Sequence, residues 1–266
     1  MLGGSERDVG TRLRKSERLD RILLELKLRP HVRITELAGR FGVSNETIRR
    51  DFEALSEEGL VSREHGGASS PPHRHYPGFD ERNRARIEER ERIGRLAASM
   101  VEDGDTLMID AGSTTLQFAR FLAYAGTTCT VVTNSLNVAV ALGQSEAAGI
   151  VMCPGDFLPS EAAVVGPDAI EFLERHNVQK CFIGSSNVTE DGVSETVRGF
   201  AAIKRTMVKQ SQSANLLVDS SKFGGAGLSR VGELEDVAAI VVDTRPEPGL
   251  SEPLKNAGVE IFVATE

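Results

Sequence analysis

Four polar runs carry residue types that bind small anions and hydroxyls: Asp110-Ala111-Gly112-Ser113-Thr114-Thr115, Thr133-Asn134-Ser135, Gly184-Ser185-Ser186-Asn187 and Asp219-Ser220-Ser221-Lys222-Phe223. Each follows a short apolar run that reads as a buried strand, and the first two open helices. Free N–H groups at a helix start, a glycine that lets a ligand close on the backbone, and adjacent hydroxyls make a phosphate cradle. Any one such run is also an ordinary cap or turn. Four at equivalent ends of one sheet favour a small phosphorylated or polyhydroxylated ligand. Asp110, Asp156, Glu195 and Asp219 offer carboxylates, and Lys222 a cation. The same groups suit an alternative chemistry, sugar-phosphate isomerisation, which needs a carboxylate base and a group to polarise a carbonyl.

A second constellation lies near the amino terminus. Ser44, Asn45, Thr47, Arg49 and Arg50 crowd the start of one predicted helix, which a Gly42 turn joins to the helix before it. Short polar side chains at the start of a helix reach base edges in the major groove, and arginines neutralise phosphates. Residues 60–67 follow as a small hairpin, or wing, that carries Arg63 and His65 toward the adjacent backbone. A three-helix protein-interaction module would show the same packing pattern.

The elements that position these groups follow from periodicity. Leu19, Ile22, Leu23 and Leu26 mark one helix face, shut off by Pro30. A second helix is predicted from Thr35, as N-cap, through Phe41, and a third is capped by Ser44, buries Ile48, Phe52 and Leu55, and ends at Gly59. Gly, Ser and Pro crowd residues 66–78 and forbid continued helix. A charged helix over residues 80–101 comes next, with Ile87, Ile93, Leu96, Ala97 and Met100 as its apolar stripe. Its run from Glu88 to Arg92 reads as a solvated face. Short apolar runs at 106–109, 130–132, 150–152, 181–183, 216–218, 240–242 and 261–263 alternate with helical spacing at 115–122, 136–142, 167–175 and 201–208. Strands without polar alternation are buried on both faces, which predicts a parallel sheet between helices and an α/β second domain.

Composition excludes several classes. The chain of 266 residues has a net charge of −8, so bulk charge gives it no general affinity for nucleic acid, and any DNA contact rests on placed arginines. No apolar run approaches the ~18 residues of a membrane helix, and residues 1–10 lack the core of a signal peptide, which predicts a cytoplasmic protein with no membrane partner. Cys129, Cys153 and Cys181 form no C-x-x-C pair, so no disulfide framework, metal site or cofactor is expected.

The run Val43-Ser44-Asn45-Glu46-Thr47-Ile48-Arg49-Arg50-Asp51-Phe52, with Gly59-Leu60 and Arg63-Glu64-His65-Gly66-Gly67-Ala68, resembles the winged helix-turn-helix of DeoR-type bacterial transcriptional regulators. Phe52 stands where Leu is usual. The resemblance implies that Ser44, Asn45, Thr47, Arg49 and Arg50 contact groove and phosphates of double-stranded operator DNA. It extends through the Asp110–Thr115 loop, the Thr133–Ser135 segment, Gly166-Pro167 and the Asp219 to Phe223 run to the sensor domain of these regulators, which is similar in fold to ribose-5-phosphate isomerase. It thereby implies a phosphorylated sugar or polyol effector, with Gly112, Ser113, Thr114 and Thr115 on the phosphate, Asn134 on a hydroxyl, Lys222 on an anionic oxygen and Asp219 orienting Lys222 or a hydroxyl. Asp110, Ser135, Gly155, Asp156, Ser185 and Glu195 complete the expected lining. Arg82 and Arg90 fall where the family tends to keep Lys or Arg, and a solvated helix face explains them equally well. Pro154, Leu158, Gln179, Asn187 and Ser220 depart from the family pattern around this pocket, leaving the identity of the effector open.

The expected organisation is a winged helix-turn-helix over residues 14–68, a linker over 69–79 and an effector-sensing α/β domain over 80–266. The expected function is repression of a carbon-catabolism operon by a homodimer or higher oligomer, with a sugar-phosphate isomerase as the alternative.

Overall fold

A computed structural model describes residues 14–28, 31–57, 61–64, 67–69, 79–225 and 227–265. The chain divides into two compact units, Met1–Tyr76 and Pro77–Glu266. The expected linker lies outside the described residues except at Ser69 and Phe79, as do His65 and the expected helix stop Gly59.

The first unit runs α1 (Lys15–Leu28), β1 (His31–Arg33), α2 (Ile34–Phe41), α3 (Asn45–Glu57), β2 (Ser62–Glu64) and β3 (Gly67–Ser69). Ile22 and Leu26 of α1, Leu37 and Phe41 of α2, and Ile48, Phe52 and Leu55 of α3 close one core. Gly42 takes the left-handed conformation (φ 63°) that a tight exit from α2 needs. The wing is present as the antiparallel pair β2–β3, and β1 adds a third strand on β3. That strand corrects the reading of Thr35. The chain passes from β1 directly into α2, so the helix starts at Ile34 with Arg33 at the cap and no side-chain cap bond.

The second unit begins with α4 (Phe79–Arg84) and α5 (Ile87–Ala98), then β4 (Asp105–Ile109), α6 (Ser113–Ala125), β5 (Cys129–Thr133), α7 (Leu136–Leu142) and β6 (Ala148–Met152). After the hairpin β7 (Asp156–Leu158) and β8 (Ala163–Val165) come α8 (Pro167–Glu174), β9 (Val178–Ile183), β10 (Asn187–Thr189), β11 (Gly192–Glu195) and α9 (Arg198–Lys209). The chain closes with β12 (Ser211–Leu217), β13 (Ser229–Gly232), β14 (Ala239–Val242), α10 (Pro248–Asn256) and β15 (Glu260–Val263). All seven expected strands join one sheet in the order β15-β14-β12-β9-β4-β5-β6, and every pairing in it is parallel.

Both faces are covered, as uninterrupted apolar strands require. Leu107, Ile109, Val131 and Phe182 pack toward α5, α6 and α7. Their alternates Met108, Val132, Cys181 and Ile183 pack toward α8, α9 and α10. All three cysteines are free and buried, and burial pushes the thiols of Cys153 and Cys181 up to about 12, leaving them inert.

The single charged helix expected over 80–101 is instead two helices. Arg86, between α4 and α5, adopts a left-handed conformation (φ 51°), which is strained for any residue with a side chain. The carbonyls of Arg82 and Ala85 at this break accept hydrogen bonds from the Arg90 guanidinium.

Candidate functional site

The first candidate surface is the exposed start of α3. The Ser44 hydroxyl accepts the Thr47 amide at 3.1 Å and lies 2.9 Å from the Thr47 hydroxyl, so Ser44 caps the helix as expected. Asn45, Arg49 and Arg50 face solvent. Among the described residues the two arginines pair only with Glu46, at 3.7 and 3.5 Å. Exposed pairs of this kind are weak, so both guanidiniums remain available to phosphates. Asp51, by contrast, is buried and holds the Arg18 guanidinium of α1, with one contact at 2.9 Å. This fixes the rotation of α3 and leaves Arg49 and Arg50 outward. Arg63 lies on β2, with its side chain outside the described residues.

The second candidate surface lies at the carboxyl ends of the central strands β5, β4, β9 and β12, which are neighbours in the sheet. Strand order reverses between β4 and β9, and crevices at such reversals are where ligands enter parallel sheets. Asp110, directly after β4, accepts the Gly184 amide at 3.2 Å and so ties the two strand ends together. Its other oxygen is 3.0 Å from Lys204 of α9, which also pairs with Glu195. Glu195 in turn accepts the Ser186 hydroxyl at 2.7 Å. Burial raises the Asp110 carboxyl above the usual range despite Lys204. Burial acts on Glu195 too, but Lys204 and hydrogen bonds from Ser186 and the Thr196 amide outweigh it and hold that carboxyl low.

Beside them, Asp219 caps the 3-10 turn Ser220–Lys222, accepting the Ser221 amide at 3.1 Å. Arg90 donates to Asp219 at 3.1 Å, and Arg86 approaches its other oxygen at 3.4 Å. Burial would raise the Asp219 carboxyl, yet Ser221, Arg90 and Lys222 keep it low. The Asp219 carboxylate is thus oriented by arginines, and among the described residues no hydrogen bond joins it to the Lys222 ammonium. Lys222 is half-buried, and its ammonium makes no ion pair among the described residues. Burial and the nearby Arg90 and Arg82 lower its pKa, against the pull of Asp219. Arg82 is itself buried, donating to Glu161 at 3.1 Å. Arg82 and Arg90 therefore belong to the interior of this site and not to a solvated helix face. Glu88, from the same charged run, is exposed.

The remaining expected residues divide. Gly112 caps α6 in an extended conformation, with Ser113 and Thr114 buried on its first turn. The Thr115 hydroxyl turns back to the carbonyls of Asp110 and Gly112, at 3.0 and 3.1 Å. Ser135 spends its hydroxyl capping α7, accepting the Val138 amide at 3.2 Å. The Ser185 hydroxyl donates to the Asn187 carbonyl at 3.3 Å. Asn134 is fully buried, and its amide nitrogen donates to Val164 at 2.9 Å. Its Oδ1 has no hydrogen-bond partner among the described residues. An orphaned buried acceptor is costly, and a ligand hydroxyl would satisfy it. Among the described residues, no hydrogen bond or ion pair joins Gly155 or Asp156 to the buried charges. Gly155 (φ 131°) allows the close approach of the Val165 carbonyl, and Asp156 is exposed on β7.

Residues 18–74 match the DeoR-like helix-turn-helix domain, and residues 85–244 match the DeoR C terminal sensor domain. The chain belongs to the DeoR family. Among curated relatives of this DeoR-family chain, the HTH-type transcriptional regulator YulB of Bacillus subtilis is 32% identical, covering 92% of this chain and 95% of its own. The HTH-type transcriptional repressor GlcR of Bacillus subtilis is 31% identical over 95% of this chain and 97% of its own. The glycerol-3-phosphate regulon repressor of Escherichia coli is 30% identical over 94% and 99%. A ribose-5-phosphate isomerase from Methanocaldococcus jannaschii aligns over 53% of this chain and 56% of its own, at 18% identity and a TM-score of 0.40. The DeoR-family chain is a helix-turn-helix transcriptional regulator and not an isomerase. Among the described residues, no helix is long and apolar enough to cross a membrane.

Ser186, named within one of the four polar runs, joins the network through Glu195, whereas Lys204, Glu161, Arg86 and Asp243 complete it and are not singled out by the sequence reading. Lys204 left a legible signal. It occupies the apolar stripe of α9 with Phe200, Ala201 and Met207, where a lysine is buried only if it is paired. Glu161 lies on a short 3-10 turn that carries no periodicity.

Proposed function

We propose that this regulator represses a carbon-catabolism operon from the cytoplasm and is controlled by a phosphorylated sugar or polyol. In this reading residues 14–68 read operator DNA through Ser44, Asn45, Thr47, Arg49, Arg50, Arg63 and His65, residues 69–79 link, and residues 80–266 sense. The observation that carries it is the half-buried Lys222, whose ammonium makes no ion pair among the described residues and which sits on the turn gripped by Arg90, at the carboxyl ends of the strands. A half-buried ammonium with no direct ion pair leaves room for an anionic ligand. The orphaned Asn134 Oδ1 adds a place for a hydroxyl, and Ser113 and Thr114 at the start of α6 a place for phosphate oxygens. The relative named as the glycerol-3-phosphate regulon repressor supports a small phosphorylated polyol, and GlcR, named a transcriptional repressor, supports repression.

A homodimer is part of the reading, since two helix-turn-helix modules read paired half-sites. The experiment is thermal melting of the whole chain against glycerol 3-phosphate, hexose phosphates and their unphosphorylated parents. A phosphorylated compound that binds the folded state raises the midpoint, by the equivalent of ~2.7 kcal/mol at a hundredfold excess over Kd. Equal effects from phosphorylated and parent compounds, or no effect from any, would remove the phosphate from this reading.

A further inference from the structure

The two helix layers that cover the sheet meet solvent differently. On one side α9 exposes Arg198, Arg205 and Lys209. On the other, Arg120 is the single charged residue of α6 and α7, in a chain of which 26% is charged. An outer helix ordinarily carries charges on the face away from the core. Charge depletion around an exposed tyrosine and arginine is instead the composition of a contact surface. Tyr124, near the end of α6, is 91% exposed, and Val140 of α7 is 59% exposed. Between the two helices runs a groove of about 560 Å³, lined by Leu116, Ala123, Val140 and Ala141, with Arg120 and Tyr124 on its α6 bank. A ridge thus stands beside a groove, the relief by which helix layers interdigitate.

What fits this face is a second copy of the same chain. α6 and α7 carry no acidic residue, so a charged partner would bury its groups unpaired, whereas an apolar, nearly uncharged face matches itself. Arg120 finds neutral acceptors in the side-chain amides of Asn137 and Gln144, which line the same groove. Among the described side chains of the first unit, no large hydrophobic one is exposed, so the apolar area for pairing lies on the second unit. Size agrees: at 1.5 Å per residue and ~10 Å per helix, α5, α6 and α7 side by side present about 20 by 30 Å, which the grooves enlarge toward the ~800 Å² per partner of a stable complex. Because α6 and α7 both return from the carboxyl to the amino end of parallel strands, they run in the same direction. A two-fold axis along them seats each α6 ridge in the other copy's groove and keeps the carboxyl ends of both sheets together. α4 is fastened at that end by Arg82–Glu161, and the break after it by Arg86–Ser220. Both second units therefore begin at one end of the pair, as two modules that read one duplex require.

We infer that α6 and α7 form the face through which two copies of this chain pair, each seating Tyr124 in the α6–α7 groove of the other. The pairing rests on the homodimer reading given above and assigns its surface. Sedimentation of the full chain without DNA, over a range of concentrations, tests it. The wild type should form a dimer. Val140→Glu and Tyr124→Glu should each raise the dissociation constant about a hundredfold or more, since two-fold symmetry buries the new charge in both copies. Both positions are exposed, so circular dichroism should show an unchanged fold; if Tyr124→Glu fails to fold, Val140→Glu decides. Leu228→Glu, at a 75% exposed position outside the groove, should leave the dimer intact. If the wild type pairs only on a selected duplex, the same comparison made on that duplex decides. A wild-type tetramer that the groove variants cut to dimers supports the face equally. A dimer that both groove variants leave intact, or that Leu228→Glu dissociates to the same extent, would overturn this face and spare the homodimer. A wild type that stays single at every concentration and binds its duplex as one chain would overturn the homodimer and the face with it.

Discussion

Arg49 and Asp51 stand two positions apart on α3 and do opposite work. The Arg49 side chain is 60% exposed and pairs with Glu46, whereas Asp51 is 1% exposed and locked to Arg18. Arg49→Ala should weaken operator binding and reduce the salt slope by about one, with the fold intact, as read by titrations at several salt concentrations. Asp51→Ala should instead destabilise the first unit by about 3–5 kcal/mol in denaturant unfolding, because it strands a buried guanidinium. In the second unit, the Asp219 carboxyl is held below its ordinary range, so its stabilisation is complete above that range and is lost as pH falls through the lowered value. Asp219→Asn should therefore lower the melting midpoint near neutral pH and flatten its fall in acid. The outward arginines were legible because helical spacing assigns faces. The buried ion pairs were not, because spacing within one helix is silent about a partner 33 or 129 residues away.

At the scale of elements, apolar runs located every strand of the main sheet, since burial on both faces leaves a continuous signature. The three-residue strands β7, β8 and β10 are too short to show any period. The break at Arg86 was hidden for a different reason: no Gly or Pro marks it, and side chains distant in sequence hold it open. Gly94 of α5 shows what the helix layer requires. A Cβ there would lie 2.7 Å from the backbone of Gln117 and Phe118 in α6. Gly94→Ala should wedge the two helices apart and cost about 1–3 kcal/mol of stability, measurable in urea.

The whole molecule pairs a small three-helix unit with a much larger parallel sheet, and the composition break at residues 66–78 lies around the division between Tyr76 and Pro77. The end of the sheet where the ligand is proposed to bind was legible because parallel strands put all their following loops on one side. The order of those strands was not, since it depends on which strand the chain returns to after β6. For the proposed homodimer, sedimentation of the protein with a selected duplex should give two chains per duplex, and a duplex cut to one half-site should bind far more weakly.

Arg86 meets its partners Ser220 and Asp243 across 134 and 157 residues of chain. At ~5–20 residues per second, a ribosome delivers those partners on the order of ten seconds after Arg86 itself. For that interval the nascent polypeptide displays a finished DNA-reading head that no metabolite yet governs.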